Sequence, residues 1–144
     1  MEVVMSNVPK LRFREFKGEW QEKALSQLAT FYNSKRVPLT ESDRVKGPYP
    51  YYGASGIIDY VEDYLFDGTY ILLGEDGANI VLRNSRLVYL AHGKFWVNNH
   101  AHVFQAKETN EFLCEALERI NYTKYNTGTA QPKLNSDVVK KVKV

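Results

Sequence analysis

Glycines divide the middle of the chain into short apolar segments, and this spacing constrains the fold more than any other feature. Between residues 51 and 107 the glycines recur every three to sixteen residues. The segments between them are rich in Tyr, Val, Ile and Leu. Runs of this kind are typical of strands joined by tight turns. The predicted strands are Gly56–Tyr60, Tyr70–Gly74, Asn79–Leu82, Leu87–Ala91 and Phe95–Gln105.

Helical patterns lie on either side of this middle. Apolar residues at helical spacing predict a short helix over Gln21–Thr30 and a longer one over Asn110–Ile120, and Asp137–Lys141 has the pattern of one further turn. Strands and helices do not alternate, which excludes a doubly wound sheet. The predicted fold is therefore α+β, with a strand-rich, glycine-punctuated middle flanked by short helices.

Length and composition bound the class of protein. A chain of 144 residues fits one compact domain over residues 1–144, and we expect residues 1–8 to be flexible. Apolar residues make up 44% and charged residues 25%, values typical of folded domains. No apolar run approaches the ~20 residues of a membrane span, and the first ten residues lack the apolar core of a signal peptide. With a single cysteine, Cys114, the simplest expectation is a reducing, cytoplasmic location.

Charge is distributed unevenly along the chain. Residues 1–58 carry nine Lys/Arg and six Asp/Glu (+3), residues 59–118 carry four and ten (−6), and residues 119–144 carry six and one (+5). Basic ends can present a positive face to nucleic acid. From charge alone, however, the favoured interpretation is that these charged side chains form an ordinary solvent-exposed surface.

Familiar catalytic motifs are missing from the sequence. It contains no phosphate-binding loop, no dinucleotide-binding glycine motif, no nucleophile elbow and no cysteine pair for zinc. Glu75-Asp76 could bind a metal, but the following Gly77 favours a tight turn. An independent enzyme would need another constellation of residues.

The segment His100-Ala101-His102 is the remaining candidate for chemistry. If it were a strand, alternation would place Asn98, His100 and His102 on one face. Two imidazoles and Glu75 could then hold a metal ion, which gives a metal-dependent nuclease as the alternative function. Hydrogen-bonded histidines or contacts to nucleic acid are favoured over a metal, because zinc needs three or four ligands.

Four segments of the sequence form a more specific pattern. They are PKLRFREFKGEW at 9–20, PYPYYGASGIIDYVEDYLFDGTYILLGEDGANI at 48–80, HGKFWVNNHAHVF at 92–104 and TGTAQPKLN at 127–135. In this order they resemble the target recognition domain of the DNA specificity subunit of type I restriction–modification enzymes. They cover about half of the chain.

The resemblance implies a DNA reader without catalytic activity or a cofactor of its own. In that family the specificity subunit carries two recognition domains, each of which reads half of a split target, separated by long helices. Modification subunits methylate adenine with S-adenosylmethionine, and motor-nuclease subunits, which use ATP and Mg²⁺, join for restriction. We expect the chain to end at Val144 before the family's spacer helix, so that most surfaces for these partners lie outside it.

Candidate DNA contacts follow from side-chain chemistry. Asn and Gln pair with adenine and Arg and Lys with guanine, whereas Lys, Arg, Tyr, Ser and Thr position the phosphates. Base-reading residues are expected in the segments outside the family pattern, 33–47 and 81–91. The candidates are Lys35, Arg36, Arg44, Lys46, Tyr49, Tyr51, Tyr52, Ser55, Arg83, Arg86, Lys94, Asn98, Asn99, His100, Thr127, Thr129, Gln131 and Lys133. A protein-interaction module with a tyrosine-rich surface and no role in DNA binding is the other alternative.

Overall fold

Six strands form one mixed sheet in a computed structural model that describes residues 22–128 and 130–144. The strands are β1 Ala29–Phe31, β2 Lys46–Gly53, β3 Gly56–Val61, β4 Phe66–Gly74, β5 Val88–Val97 and β6 Ala101–Ala106. The helices are α1 Leu25–Leu28, α2 Asn79–Leu82, α3 Asn110–Glu118 and α4 Ser136–Lys140. The strand order is β1-β6-β4-β5-β2-β3. Neighbouring strands are antiparallel except β2 and β5, which are parallel. The predicted α+β class is confirmed.

The central strand β4 is apolar on both faces. Its Ile71 and Leu73 point into one apolar cluster, and its Tyr70 and Leu72 point into another. All four side chains are buried. A strand covered on both sides is expected to have this continuous apolar sequence instead of alternation with polar residues.

The two clusters differ in what covers them. On one face the sheet packs against helices, through residues such as Leu113, Leu117 and Val139. On the other face an aromatic cluster forms around Phe66, with Tyr70 at 5.1 Å and Phe95 at 5.4 Å between ring centroids. These edge-on and offset contacts are the arrangements that aromatic rings prefer.

The segment that follows β1 closes over the aromatic cluster. Tyr32 N–H donates to the Val103 carbonyl at 2.8 Å, and Val37 N–H donates to the Val97 carbonyl at 3.2 Å. One short segment thus reaches both β6 and the end of β5, which lie on opposite sides of β4. The segment therefore links the two strands that flank β4.

Three predicted elements differ from the structure. Asn79–Leu82 is a helical turn, not a strand, because only Ile80 of its apolar residues enters the core. The predicted strand Phe95–Gln105 is interrupted by a turn, which separates β5 from β6. The predicted helix Gln21–Thr30 is reduced to α1 and continues as β1; Gln21 lies outside the described residues.

Other predictions are confirmed. The strand predicted at Gly56–Tyr60 is β3, and the strand predicted at Tyr70–Gly74 is the second half of β4. The strand predicted at Leu87–Ala91 is the first half of β5, which continues to Val97, so the predicted break before Phe95 is wrong. Helix α3 ends two residues before the predicted helix. The final helical turn lies one residue earlier than predicted. The opening segment 9–20 and the predicted flexible residues 1–8 lie outside the described residues. No helix in the described parts of the chain is long and apolar enough to cross a membrane.

Candidate nucleic-acid interface

Four loops that are distant in sequence meet at one place, which we call the loop junction. It consists of the turn 53–56, the segment 74–79, the turn 98–100 and the described residues of the loop 126–135, which are 126–128 and 130–135. Glu75 connects them, because its N–H donates to the His100 carbonyl at 2.9 Å and its carbonyl accepts from Leu134 N–H at 2.6 Å. The turn 53–56 is equally close, since a Cβ on Gly74 would lie 2.7 Å from the Ala54 carbonyl oxygen. Parts of three of the four sequence segments that carry the family pattern are thus brought together.

Glu75 is also the electrostatic centre of the loop junction. Its carboxylate is 14% exposed and accepts a hydrogen bond from Arg36 Nη1 at 2.9 Å. Lys133 Nζ lies 3.9 Å from the other carboxylate oxygen. Two cations from different loops therefore offset this partly buried negative charge, as a buried carboxylate requires.

Arg36 is an internal anchor and not a free phosphate contact. Besides Glu75, its guanidinium donates to the Asn33 carbonyl at 3.0 Å and to the Ala101 carbonyl at 3.0 Å. Its side chain is 16% exposed. The fixed fork of donors that makes Arg suited to phosphates is used here to join three segments of the protein.

His102 is buried with protein partners on both ring nitrogens. Nε2 lies 2.7 Å from the Leu134 carbonyl, which can only accept, so Nε2 carries the proton. Nδ1 then accepts from Asn33 Nδ2 at 3.0 Å, and the other amide atom, Asn33 Oδ1, accepts from Val103 N–H at 2.8 Å. Burial lowers the pKa of His102 and keeps the ring neutral.

His100 lies at the surface of the same region. Its side chain is 50% exposed, and its Nδ1 is 2.8 Å from Asp76 Oδ2. The predicted single face for Asn98, His100 and His102 is wrong, because residues 98–100 form a turn. Asn98 is buried, and its Oδ1 accepts from His100 N–H at 2.8 Å. The three side chains therefore point to different environments.

These contacts also remove the ligands that the metal-nuclease alternative needs. Neither nitrogen of His102 is available, and Glu75 is paired with Arg36. Among residues 22–128 and 130–144, no group of three or more His, Cys, Asp or Glu side chains could hold a metal ion. The loop junction has the composition of a binding surface supported by an internal polar network.

The remaining basic candidates before β3 are partly engaged in the fold. The Arg44 guanidinium lies over the Tyr51 ring, 4.6 Å from its centroid, and donates to the Leu39 carbonyl. Tyr51 is buried, and its hydroxyl bonds to Leu39, so its ring is part of the core. Lys46 is exposed and pairs with Asp59 at 2.7 Å, and this hydrogen bond is the main cause that lowers the pKa of Asp59 to about 2.

The two arginines of the segment 81–91 contact α3. Arg83 donates to the main-chain carbonyls of Glu118 and Ile120 at the end of that helix. Arg86 pairs with Glu115 at 2.6 Å, which lowers the pKa of Glu115. This segment was expected to contain base-reading residues, and both its arginines are instead paired with α3.

The other candidates differ in exposure. Tyr49 and Tyr52 are half-buried, with rings against Tyr64 at 5.1 Å and Tyr89 at 5.9 Å. Thr129 lies outside the described residues. The exposed candidates are Lys35, Lys46, Ser55, Arg86, Lys94, Asn99, His100, Thr127, Gln131 and Lys133. Of these, Ser55, Asn99, His100, Thr127, Gln131 and Lys133 belong to the loop junction.

Two asparagines that organise the loop junction were missed by sequence reasoning. Asn33 ties the segment after β1 to β6, because its amide bonds to His102 and to Val103 N–H. Asn126 Oδ1 accepts from Gly128 N–H and Lys133 N–H, both at 2.9 Å, and so fixes the loop 126–135. Asn126 stands directly before the TGTAQPKLN segment, and the tendency of Asn to bond nearby main-chain groups was the available signal.

Comparison with known proteins gives the class of this chain. Residues 17–144 match the type I restriction modification DNA specificity domain family. The chain therefore belongs to that family, the non-catalytic specificity component of type I restriction–modification systems, which carries no cofactor of its own.

Individual proteins are similar to this chain in sequence or in fold. A putative type I restriction enzyme specificity subunit of Haemophilus influenzae is 38% identical over 128 residues, which cover 88% of this chain and 32% of that protein. The crystal structure of a type I restriction-modification system S subunit from M. genitalium shares the fold, with a TM-score of 0.66 and 15% identity. That match covers 85% of this chain and 33% of the other. The chain thus spans about a third of the length of either protein.

Proposed function

We propose that residues 1–144 form one target recognition domain, which reads a short sequence of duplex DNA and contributes specificity to a type I restriction–modification system. The observation that carries this proposal is the family match over residues 17–144. A domain of this size covers about one turn of duplex, and hence roughly three or four base pairs in detail.

The chemistry of the loop junction supports the proposal. Its exposed side chains include the amides of Asn99 and Gln131, the ammonium of Lys133 and the hydroxyls of Ser55 and Thr127. Amides supply the paired donor and acceptor that read adenine, and ammonium and hydroxyl groups suit phosphates. Since Arg36 and Arg83 are engaged inside the protein and exposed Arg86 is paired with Glu115, we assign the DNA contacts mainly to the loop junction and to exposed Lys35 and Lys94.

The partners follow from the same assignment. We propose that modification subunits, acting with S-adenosylmethionine, methylate adenine at the site that this domain selects. Motor-nuclease subunits that use ATP and Mg²⁺ would act on unmodified DNA. The proposed location is the cytoplasm, where such a system meets DNA.

The test is a selection of bound duplexes from a random pool with the full 144-residue chain. We expect enrichment of one short sequence and salt-dependent binding, with a Kd near the non-specific range of ~10⁻⁴–10⁻⁶ M for a single domain. Gln131→Ala should change the enriched sequence. Lys133→Ala should lower the slope of log K against log salt by about one unit.

Exposed Lys107, which lies outside the loop junction, provides a matched control. Lys107→Ala should leave both the enriched sequence and the salt slope unchanged. If the chain retains no duplex at low salt, the proposal fails and a protein partner becomes the better explanation. If Lys107→Ala and Lys133→Ala lowered the affinity for duplex DNA equally, the DNA-binding surface would lie outside the loop junction.

A further inference from the structure

One exposed pair at the loop junction has chemistry that the fold does not require. His100 Nδ1 lies 2.8 Å from Asp76 Oδ2, with the imidazole half exposed and the carboxylate 23% exposed. The other two histidines differ from it. His102 is buried, and the Nδ1 of exposed His92 contacts the hydroxyl of Thr69 at 3.0 Å, not a carboxylate.

The carboxylate fixes which nitrogen of His100 is presented to solvent. An ionised carboxylate only accepts hydrogen bonds, so Nδ1 must carry a proton and donate to Asp76. Nε2 is the remaining polar atom of the ring, and no described residue bonds to it. When the ring takes up a second proton, Nε2–H becomes a donor while the carboxylate stabilises the imidazolium.

The pair is held by the main chain on both sides. The His100 carbonyl accepts from Glu75 N–H at 2.9 Å, and His100 N–H donates to Asn98. Asp76 forms an antiparallel bridge with Lys133, and the neighbouring Gly77 N–H donates to Pro132 at 3.0 Å. A ring mounted in this way is oriented before any ligand arrives, which reduces the entropy lost on binding.

The charges around the pair cancel while His100 is neutral. Arg36 comes from the segment after β1, Glu75 and Asp76 follow β4, and Lys133 belongs to the loop 126–135. These groups contribute two positive and two negative charges. One proton on His100 therefore changes the local charge from neutral to +1, on a half-exposed ring whose Nε2 bonds to no described residue.

From this geometry we propose that His100, positioned by Asp76, donates from Nε2 to a phosphodiester oxygen of bound DNA, and that this contact takes up one proton. The inference rests on the proposed function, because it names the atom and the protonation state by which the loop junction engages a phosphate. Charge-assisted hydrogen bonds of this kind are shorter and stronger than neutral ones. If the ring instead stayed neutral on binding, Nε2 would accept a hydrogen bond from the amino group of a base, and no proton would be taken up.

The experiment measures binding of the full chain to a mixed-sequence 30-base-pair duplex at pH 6.0 and pH 8.0, at one fixed salt concentration. For the unmodified chain we expect affinity to be roughly three- to tenfold higher at pH 6.0, since binding linked to proton uptake strengthens as pH falls. His100→Gln should abolish most of this difference. Asp76→Asn should reduce it, because the imidazolium loses its carboxylate.

His92→Gln is the matched control and should retain the full pH effect, because His92 is exposed but unpaired with a carboxylate. Thermal unfolding of each variant at both pH values shows whether the fold is intact under the binding conditions. If His100→Gln keeps the full pH effect, the inference is overturned. Salt-dependent binding of the unmodified chain that is equal at both pH values would also overturn it, and the proposed function would stand. Absence of DNA binding at either pH would refute both.

Discussion

His102 donates a hydrogen bond from Nε2 to the main-chain carbonyl of Leu134 across 2.7 Å, and this contact ties the start of β6 to the loop 126–135. The ring is buried and can make this bond together with the one from Asn33 only in its neutral form. A second proton on Nδ1 would face the amide N–H₂ of Asn33, which cannot accept it. The loop junction therefore depends on a neutral histidine.

This dependence predicts a loss of stability at mildly acidic pH. Burial lowers the pKa of His102 below the value of 6.5 for an unperturbed imidazole, so the unfolded chain binds the proton first as pH falls. Below pH 6.5 the free energy of unfolding should therefore decrease, by at most about 1.4 kcal/mol per pH unit. Urea unfolding between pH 5 and pH 7.5 measures this slope.

His102→Gln is the informative variant, because an amide can donate to Leu134 and accept from Asn33 without titrating. We expect it to flatten the slope between pH 5 and pH 6.5. Asp59 does not interfere in this window, since its pKa is about 2 and its contribution is lost only at lower pH. A slope that is unchanged in His102→Gln would show that another group causes the acid sensitivity.

Substitution of the neighbouring residues Arg36 and Lys35 should distinguish a structural role from a role in DNA binding. Arg36→Ala removes hydrogen bonds to Glu75, Asn33 and Ala101 and leaves the partly buried carboxylate with only Lys133. We expect it to lower the free energy of unfolding by about 2 kcal/mol. Lys35→Ala should lower the free energy of unfolding by at most about 1 kcal/mol, because the side chain is exposed and its contact is that of Nζ over the Phe66 ring, 5.1 Å from the centroid. Chemical unfolding of both variants tests this contrast, and equal stability losses would contradict it.

Close packing at Gly74 provides a third prediction. A Cβ at this position would lie 2.7 Å from the Ala54 carbonyl oxygen and 3.0 Å from Leu87 Cδ1, so the main chain must move to accept it. Gly74→Ala should cost about 1–3 kcal/mol of stability. At Gly53 the nearest atoms are side-chain atoms of Ile58, at 3.3 Å. Gly53→Ala should therefore cost less than half as much, and a reversed order in urea unfolding would refute the close approach of the loops.

Local pattern predicted many of the elements but not their assembly. The apolar face of α3 and three of the five predicted strands are properties of contiguous sequence, and these predictions are confirmed. Asn79–Leu82 has the apolar residues of a strand, but Asn79 bonds to Ser85 through both ends of its amide and favours a turn. Val81 and Leu82 remain exposed, which the sequence does not reveal.

The loop junction depends on contacts between residues far apart in the chain. The Asn33–His102 and Arg36–Glu75 contacts join residues 69 and 39 positions apart, and no local pattern encodes them. Three of the segments that resemble the family converge around Glu75, whose N–H donates to the His100 carbonyl and whose carbonyl accepts from Leu134 N–H.

Arg83 provides the last prediction, because its backbone and its side chain have opposite effects on stability. It has a φ of 52°, in the left-handed region, which is unfavourable for a residue other than glycine. Its side chain offsets this by donating to the main-chain carbonyls of Glu118 and Ile120, by pairing with the Glu118 carboxylate at 3.0 Å, and by lying 5.9 Å from the centroid of the Tyr122 ring.

Arg83→Ala keeps the unfavourable backbone and loses these contacts, so it should cost about 2–4 kcal/mol. Arg83→Gly loses the same contacts but relieves the backbone, and should be more stable than Arg83→Ala by roughly 1 kcal/mol. Exposed Arg119, mutated to Ala, is the matched control and should change stability by less than about 0.5 kcal/mol. Urea unfolding of the three variants gives the order, and an Arg83→Ala variant as stable as Arg119→Ala would show that the contacts to α3 contribute nothing.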